Sequence, residues 1–112
     1  MANGLYRDLS FEYMELIMSD MRDLIEGIDT DKAHKEQFNF RFNLFKKNVD
    51  SFESLFNKTS TVIDPGQYKN FRFALAQFIL VIQNVNRRNR VTKDDLKHLE
   101  EFYEICYEFL HR

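Results

Sequence analysis

The sequence predicts an all-α fold, a single-domain antiparallel four-helix bundle over residues 1–112. Three observations carry this. Apolar residues recur at threes and fours in four separate stretches, the spacing that lines one side of a helix. One Pro and three Gly are too few for the many turns of an all-β chain. Connections between the periodic stretches stay near or below about ten residues, which suits one domain, and short links between helices of similar length favour antiparallel neighbours. With 44% hydrophobic and 30% charged residues in 112, the chain can bury a core without disulfide or metal staples.

The first helix is expected near residues 10–28. Phe11, Met14, Met18, Met21, Ile25 and Ile28 repeat at 3, 4, 3, 4 and 3, with Ser10 as its N-cap. The second is expected near 31–57. It opens on FNFRFNL, Phe38 to Leu44, where apolar and polar residues alternate as in a half-buried strand. That alternation lasts only seven residues, whereas Phe38, Phe42, Phe45, Val49, Phe52 and Phe56 keep helical spacing over nineteen, so the helix prevails. The third, near 67–86, follows Asp64, Pro65 and Gly66 and carries Tyr68, Phe71, Leu75, Phe78, Ile82 and Val85. Its run FALAQFILVI is apolar on nearly every side, which predicts the most buried helix. The fourth, near 92–111, begins at Thr92 with Asp95 three residues on, a relative of the capping box. Its seam is Leu96, Leu99, Tyr103, Cys106 and Leu110.

Helical geometry leaves apolar residues over. Two residues turn a helix by about 200°, so Phe40 points away from Phe38 and Phe42, and Leu44 extends its stripe by one turn. Phe73 and Leu80 do the same on the third helix. Either the core is wide or Val62 and Ile63 of the segment NKTSTVID cover these residues, or they form an exposed contact surface.

Charge is segregated along the chain: residues 1–31 carry −6, residues 32–93 carry +8 and residues 94–112 carry −4. Neighbouring helices of unlike sign attract weakly. A two-signed surface can also orient a partner or gather an anionic polymer. Arg87, Arg88 and Arg90 form the densest basic element, positioned to cap the third helix or to meet phosphate together with Lys46, Lys47, Lys69 and Arg72. A pI near 5.9 and the lack of a Gly-rich or RNA-binding motif weigh against nucleic acid.

Little in the sequence suggests catalysis. Each His follows an acid by three residues: Asp31 and His34, Asp95 and His98, Glu108 and His111. Di-iron bundles use such pairs facing inward, but His98 and His111 lie off the fourth seam. Ala33 and His34 match the Ala-His pair of phosphotransfer domains. Lys35 follows, but Glu36 stands where those domains carry glycine. Cys106 reads as a small buried hydrophobe. No phosphate loop or zinc cluster is present, so no enzyme, cofactor, metal or small-molecule substrate is expected.

The longest apolar run, Phe78 to Ile82, is far short of the roughly 18–20 residues a membrane span needs. The stretch MANGLYRDLSFEYMEL carries acids where a targeting peptide needs bases, and a lone Cys excludes an internal disulfide. A cytoplasmic setting is expected. Twelve Phe and nine Asn against one Pro suggest an AT-rich coding sequence of phage or bacterial origin. The functional expectation is a protein-binding module, an accessory subunit, adaptor or inhibitor acting on a protein partner or as a homodimer through Phe40, Leu44, Phe73 and Leu80. The alternative is a small nucleoprotein subunit that meets RNA or DNA through its basic middle helices and the Arg87–Arg90 loop.

Overall fold

The computed structural model describes residues 2–28, 35–58 and 65–111, the side chains of 2–8, 35, 56–58, 65 and 67 excepted. Four helices follow one another: α1, Ala2–Ile28; α2, Lys35–Lys58; α3, Lys69–Arg88, entered through a 3-10 turn at Pro65–Tyr68; and α4, Lys93–Leu110. No strand occurs among the described residues. Close packing of α1 on α2, α3 on α4 and α1 on α4 makes an antiparallel four-helix bundle.

The helix starts and stops follow local chemistry. Thr92 and Asp95 close a full capping box: the Asp95 N–H donates to Thr92 Oγ1 at 3.1 Å and the Thr92 N–H donates to Asp95 Oδ2 at 2.9 Å. Two orphan donors at the head of α4 are thereby satisfied. At the end of α3 Asn89 takes the left-handed conformation, φ 57°, which Asn tolerates better than most residues. Arg88 then reaches across to Asp95 Oδ2 at 2.8 Å, tying the end of α3 to the start of α4.

In α1 the expectation needs correction. The helix begins at Ala2, so Ser10 is not its cap but a buried residue within it. Phe11, expected in the core, is 47% exposed, while Ile17 and Leu24 are fully buried. The row Ser10, Met14, Ile17, Met21, Leu24 and Ile28 also runs at 4, 3, 4, 3 and 4. The two rows share Met14, Met21 and Ile28, and both are covered: Met18 and Ile25 of the expected seam are buried as well as Ile17 and Leu24, so Phe11 is the one member of that seam left exposed.

The other seams hold except at Leu96, which is only half-buried. Phe42, Phe45, Val49 and Phe52 of α2, Phe71, Leu75, Phe78, Ile82 and Val85 of α3, and Leu99 and Cys106 of α4 are buried. Phe38, Tyr68, Tyr103 and Leu110 pack partly buried against this core, and the Phe56 side chain lies outside the described residues. The helix reading of Phe38 to Leu44 is correct. Rings, rather than close backbone approach, join α2 to α3: Phe45 meets Phe78 and Phe52 meets Phe71, each edge-on with centroids 5.5 Å apart. Edge-to-face pairs are favoured over face-to-face stacks.

Candidate contact surface

Phe40 is 65% exposed, Leu44 45%, Phe73 57% and Leu80 49%. These four are therefore not part of a wide core. Val62 and Ile63, the other proposed cover, lie outside the described residues. The run FALAQFILVI, expected to make α3 the most buried helix, thus leaves Phe73 and Leu80 in water.

The four do not form one continuous patch. Phe45–Phe78 and Phe52–Phe71 set the register of α2 against α3, which puts Leu44 level with Ile79 beside Leu80, Phe40 one turn further along, and Phe73 level with Asp50. The two stripes also diverge. The groove between α2 and α3 holds the ion pair of Arg72 with Glu53, and Leu80 and Phe73 lie about 80–100° around α3 from Arg72. On α2, Leu44 precedes by one turn Asn48, whose Nδ2 donates to Asp20 Oδ2 of α1 at 2.8 Å. The α2 stripe therefore leans toward α1.

That geometry brings in Leu16, which the sequence reading missed and which is 52% exposed. It precedes Asp20 by one turn, so it flanks the same α1–α2 seam from the other side. Its signal was available: Leu16 stands two residues from Met14 and from Met18, as Phe40 stands two from Phe38 and Phe42. Glu12, Glu15 and Ser19 border Leu16, and Glu36, Gln37 and Arg41 border Phe40, each set around a shallow depression.

The basic candidates are likewise dispersed. Arg72 is engaged with Glu53, whose hydrogen bond holds the guanidinium pKa above its usual value. Arg88 bonds Asp95 and the Asn84 carbonyl, and Arg87 donates to Asn84 Oδ1 at 2.9 Å. Arg88 thus reaches a carbonyl in the last turn of α3, and Arg90 is exposed beside it. Lys46 sits 4.8 Å from the Phe42 ring centroid, while Lys47 and Lys69 are exposed. Arg72 and Arg87 are fifteen residues apart on one helix, roughly 22 Å.

The order of helices around the bundle sorts charge as well. Acidic α1 and α4 adjoin each other, basic α2 and α3 adjoin each other, and α3 contains no Asp or Glu. One half of the bundle is anionic and the other cationic.

His98 and His111 are exposed, His98 beside Glu101 at 3.6 Å and His111 stacked on Tyr107 with centroids 4.1 Å apart. His34 lies outside the described residues, among which no group of three or more His, Cys, Asp or Glu is arranged to hold a metal. Burial pushes the Cys106 thiol up to about 12, far from a nucleophile's range. Among the described residues no helix is long and apolar enough to cross a membrane. Comparison with protein-family models, curated proteins and solved structures gives no match.

Proposed function

We propose that this protein is a non-enzymatic helical binding module, an accessory subunit, adaptor or inhibitor that works through protein–protein contacts made by the apolar residues on its outer faces. One observation carries the reading. Phe40 with Leu44 on α2, and Phe73 and Leu80 on α3, stand in water on a bundle whose core other residues already fill, and large apolar groups left exposed on one side of a helix mark contact surfaces. The cytoplasm is the setting that fits, since the single thiol is buried and unpaired. The test is retention of partner protein by immobilised wild type and by a Phe40→Asp, Phe73→Asp variant. The reading expects the variant to keep its helical content and lose what the wild type retains or its self-association. A wild type that is monomeric and retains nothing sinks it.

A second reading, nucleic-acid binding, draws on the cationic half of the bundle and the absence of acid from α3. It expects retention on heparin or RNA that falls steeply with salt and disappears when Arg87, Arg88 and Arg90 become Gln. Retention insensitive to salt favours the apolar surface instead.

A further inference from the structure

We propose that the α1–α2 face is a self-association surface whose occupant is a second copy of this chain, related by a two-fold axis parallel to the bundle so that α1 of each copy lies on α2 of the other. The inference rests on the protein-binding reading above and names its partner. Charge and symmetry together select this face. A two-fold contact repeats the same patch on both copies, and closure through α2 and α3 would set Lys47, Lys69 and Arg87 against themselves. The α1–α2 face instead joins an anionic helix to a cationic one. The outer side of α1 presents Glu12 and Asp23, both exposed, and that of α2 presents Arg41 and Lys47, also exposed, with Glu36 the exception at its end. Glu15 and Glu26, seven and four residues from Arg22, lie on the other side of α1, where Glu26 bonds Arg22 at 3.3 Å. Arg22, the one base on this part of α1, turns toward α4, where it lies 5.9 Å from the Tyr103 ring centroid.

The direction of the axis follows from the same charges. An axis across the bundle would lay α1 on α1, acid on acid. An axis along it lays α1 on α2 and preserves the level of every residue. The hydrogen bond of Asn48 to Asp20 and the approach of the Phe38 ring to Gly27 set those levels within one copy. Transferred to the neighbour, Arg41 and Lys47 each fall within a turn of Asp23. The exposed apolar groups meet small ones, Phe40 near Gly27 and Leu16 near Ser51. The face is large enough: the 24 residues of α2 rise about 36 Å, and a bundle 23 Å wide offers an area on the order of the ~800 Å² per partner of a standard interface.

The test is sedimentation velocity of the full chain, with circular dichroism on each variant. Wild type is expected to dimerise. Asp23→Lys, and separately Arg41→Glu with Lys47→Glu, are each expected to raise the dissociation constant about tenfold or more, since like charges then face each other. Asp23→Lys, Arg41→Glu and Lys47→Glu in one chain exchange the signs of the facing groups and are expected to restore dimerisation. Phe40→Asp is expected to dissociate the dimer and Phe73→Asp to leave it intact, a comparison that does not depend on the charge variants folding. Failure of this combined variant to recover while folded overturns the crossed arrangement. Dissociation by Phe73→Asp as complete as by Phe40→Asp moves the contact to α3, overturning this inference while the protein-binding reading stands. A monomeric wild type that still retains a partner lost in the Phe40→Asp, Phe73→Asp variant has the same meaning, whereas a monomer that retains nothing removes both.

Discussion

Replacing Phe78 by Ala tests the packing on which the positions of all the surface residues depend. The ring is fully buried at the middle of α3 and meets Phe45 edge-on at 5.5 Å. Its burial is worth about 1.5–3 kcal/mol, and the aromatic pair adds roughly 0.5–1.5 kcal/mol. The cavity left behind brings the whole cost to about 3–5 kcal/mol, a large part of the ~5–15 kcal/mol that stabilises a domain. Urea denaturation followed by circular dichroism reads this as a midpoint lowered by about 2 M, at a slope of roughly 1–3 kcal/mol per molar. Phe45→Ala should cost a similar amount, and the double variant should cost less than the two together, because the pair's own interaction is lost only once. A loss below about 1 kcal/mol for Phe78→Ala would refute the register of α3.

Three further outcomes follow from the ionisable groups. Burial raises the Asp95 carboxyl, but the Thr92 N–H, Arg88 and the Thr92 hydroxyl outweigh it and hold the pKa below 3.8. Its stabilising role is therefore complete at neutral pH and lost as pH falls through the depressed value. Asp95→Asn should cost ~1 kcal/mol at pH 7, a difference that fades in urea titrations well below pH 3.8. Asp20 behaves oppositely. Burial, aided by Asp23 and opposed by the Asn48 hydrogen bond, raises its pKa, so its charge costs stability once pH climbs through the raised value. Asp20→Asn, which still accepts from Asn48, should raise the urea midpoint at pH 7 and lose that advantage as pH falls toward 3.8. Cys106, fully buried with a pKa near 12, should react with a thiol reagent at pH 8 only as fast as the protein unfolds; prompt reaction of the folded chain would contradict its burial.

Most of the fold was legible because the seams of α2, α3 and α4 each offer one dominant row of large apolar residues. In α1 the expected seam holds apart from Phe11, but contact with two neighbouring helices, α2 and α4, widens the buried side to take in Ile17 and Leu24. The start of α1 was misjudged for a related reason: Ser10 is a favoured cap residue, yet its small side chain also fits a crowded place within a helix. The exposed residues Phe40, Leu44, Phe73 and Leu80 could be found by rotation about each helix. How the stripes relate could not, since that depends on which side of α2 meets α1 and which meets α3. Asn48 with Asp20 and Glu53 with Arg72 set those sides, and no periodicity within one helix pairs residues 28 and 19 positions apart.

The proposed function requires that the apolar residues on the outer faces serve contacts with another molecule and not the monomer's own core. The stability of the Phe40→Asp, Phe73→Asp variant tests it most directly, measured by urea denaturation at a concentration low enough that wild type is monomeric. At positions 65% and 57% exposed, the account predicts an unchanged helical spectrum and a stability within about 0.5 kcal/mol of wild type for each substitution. A variant that unfolds, or loses several kcal/mol as a buried aromatic would, would place both rings inside the protein and contradict it.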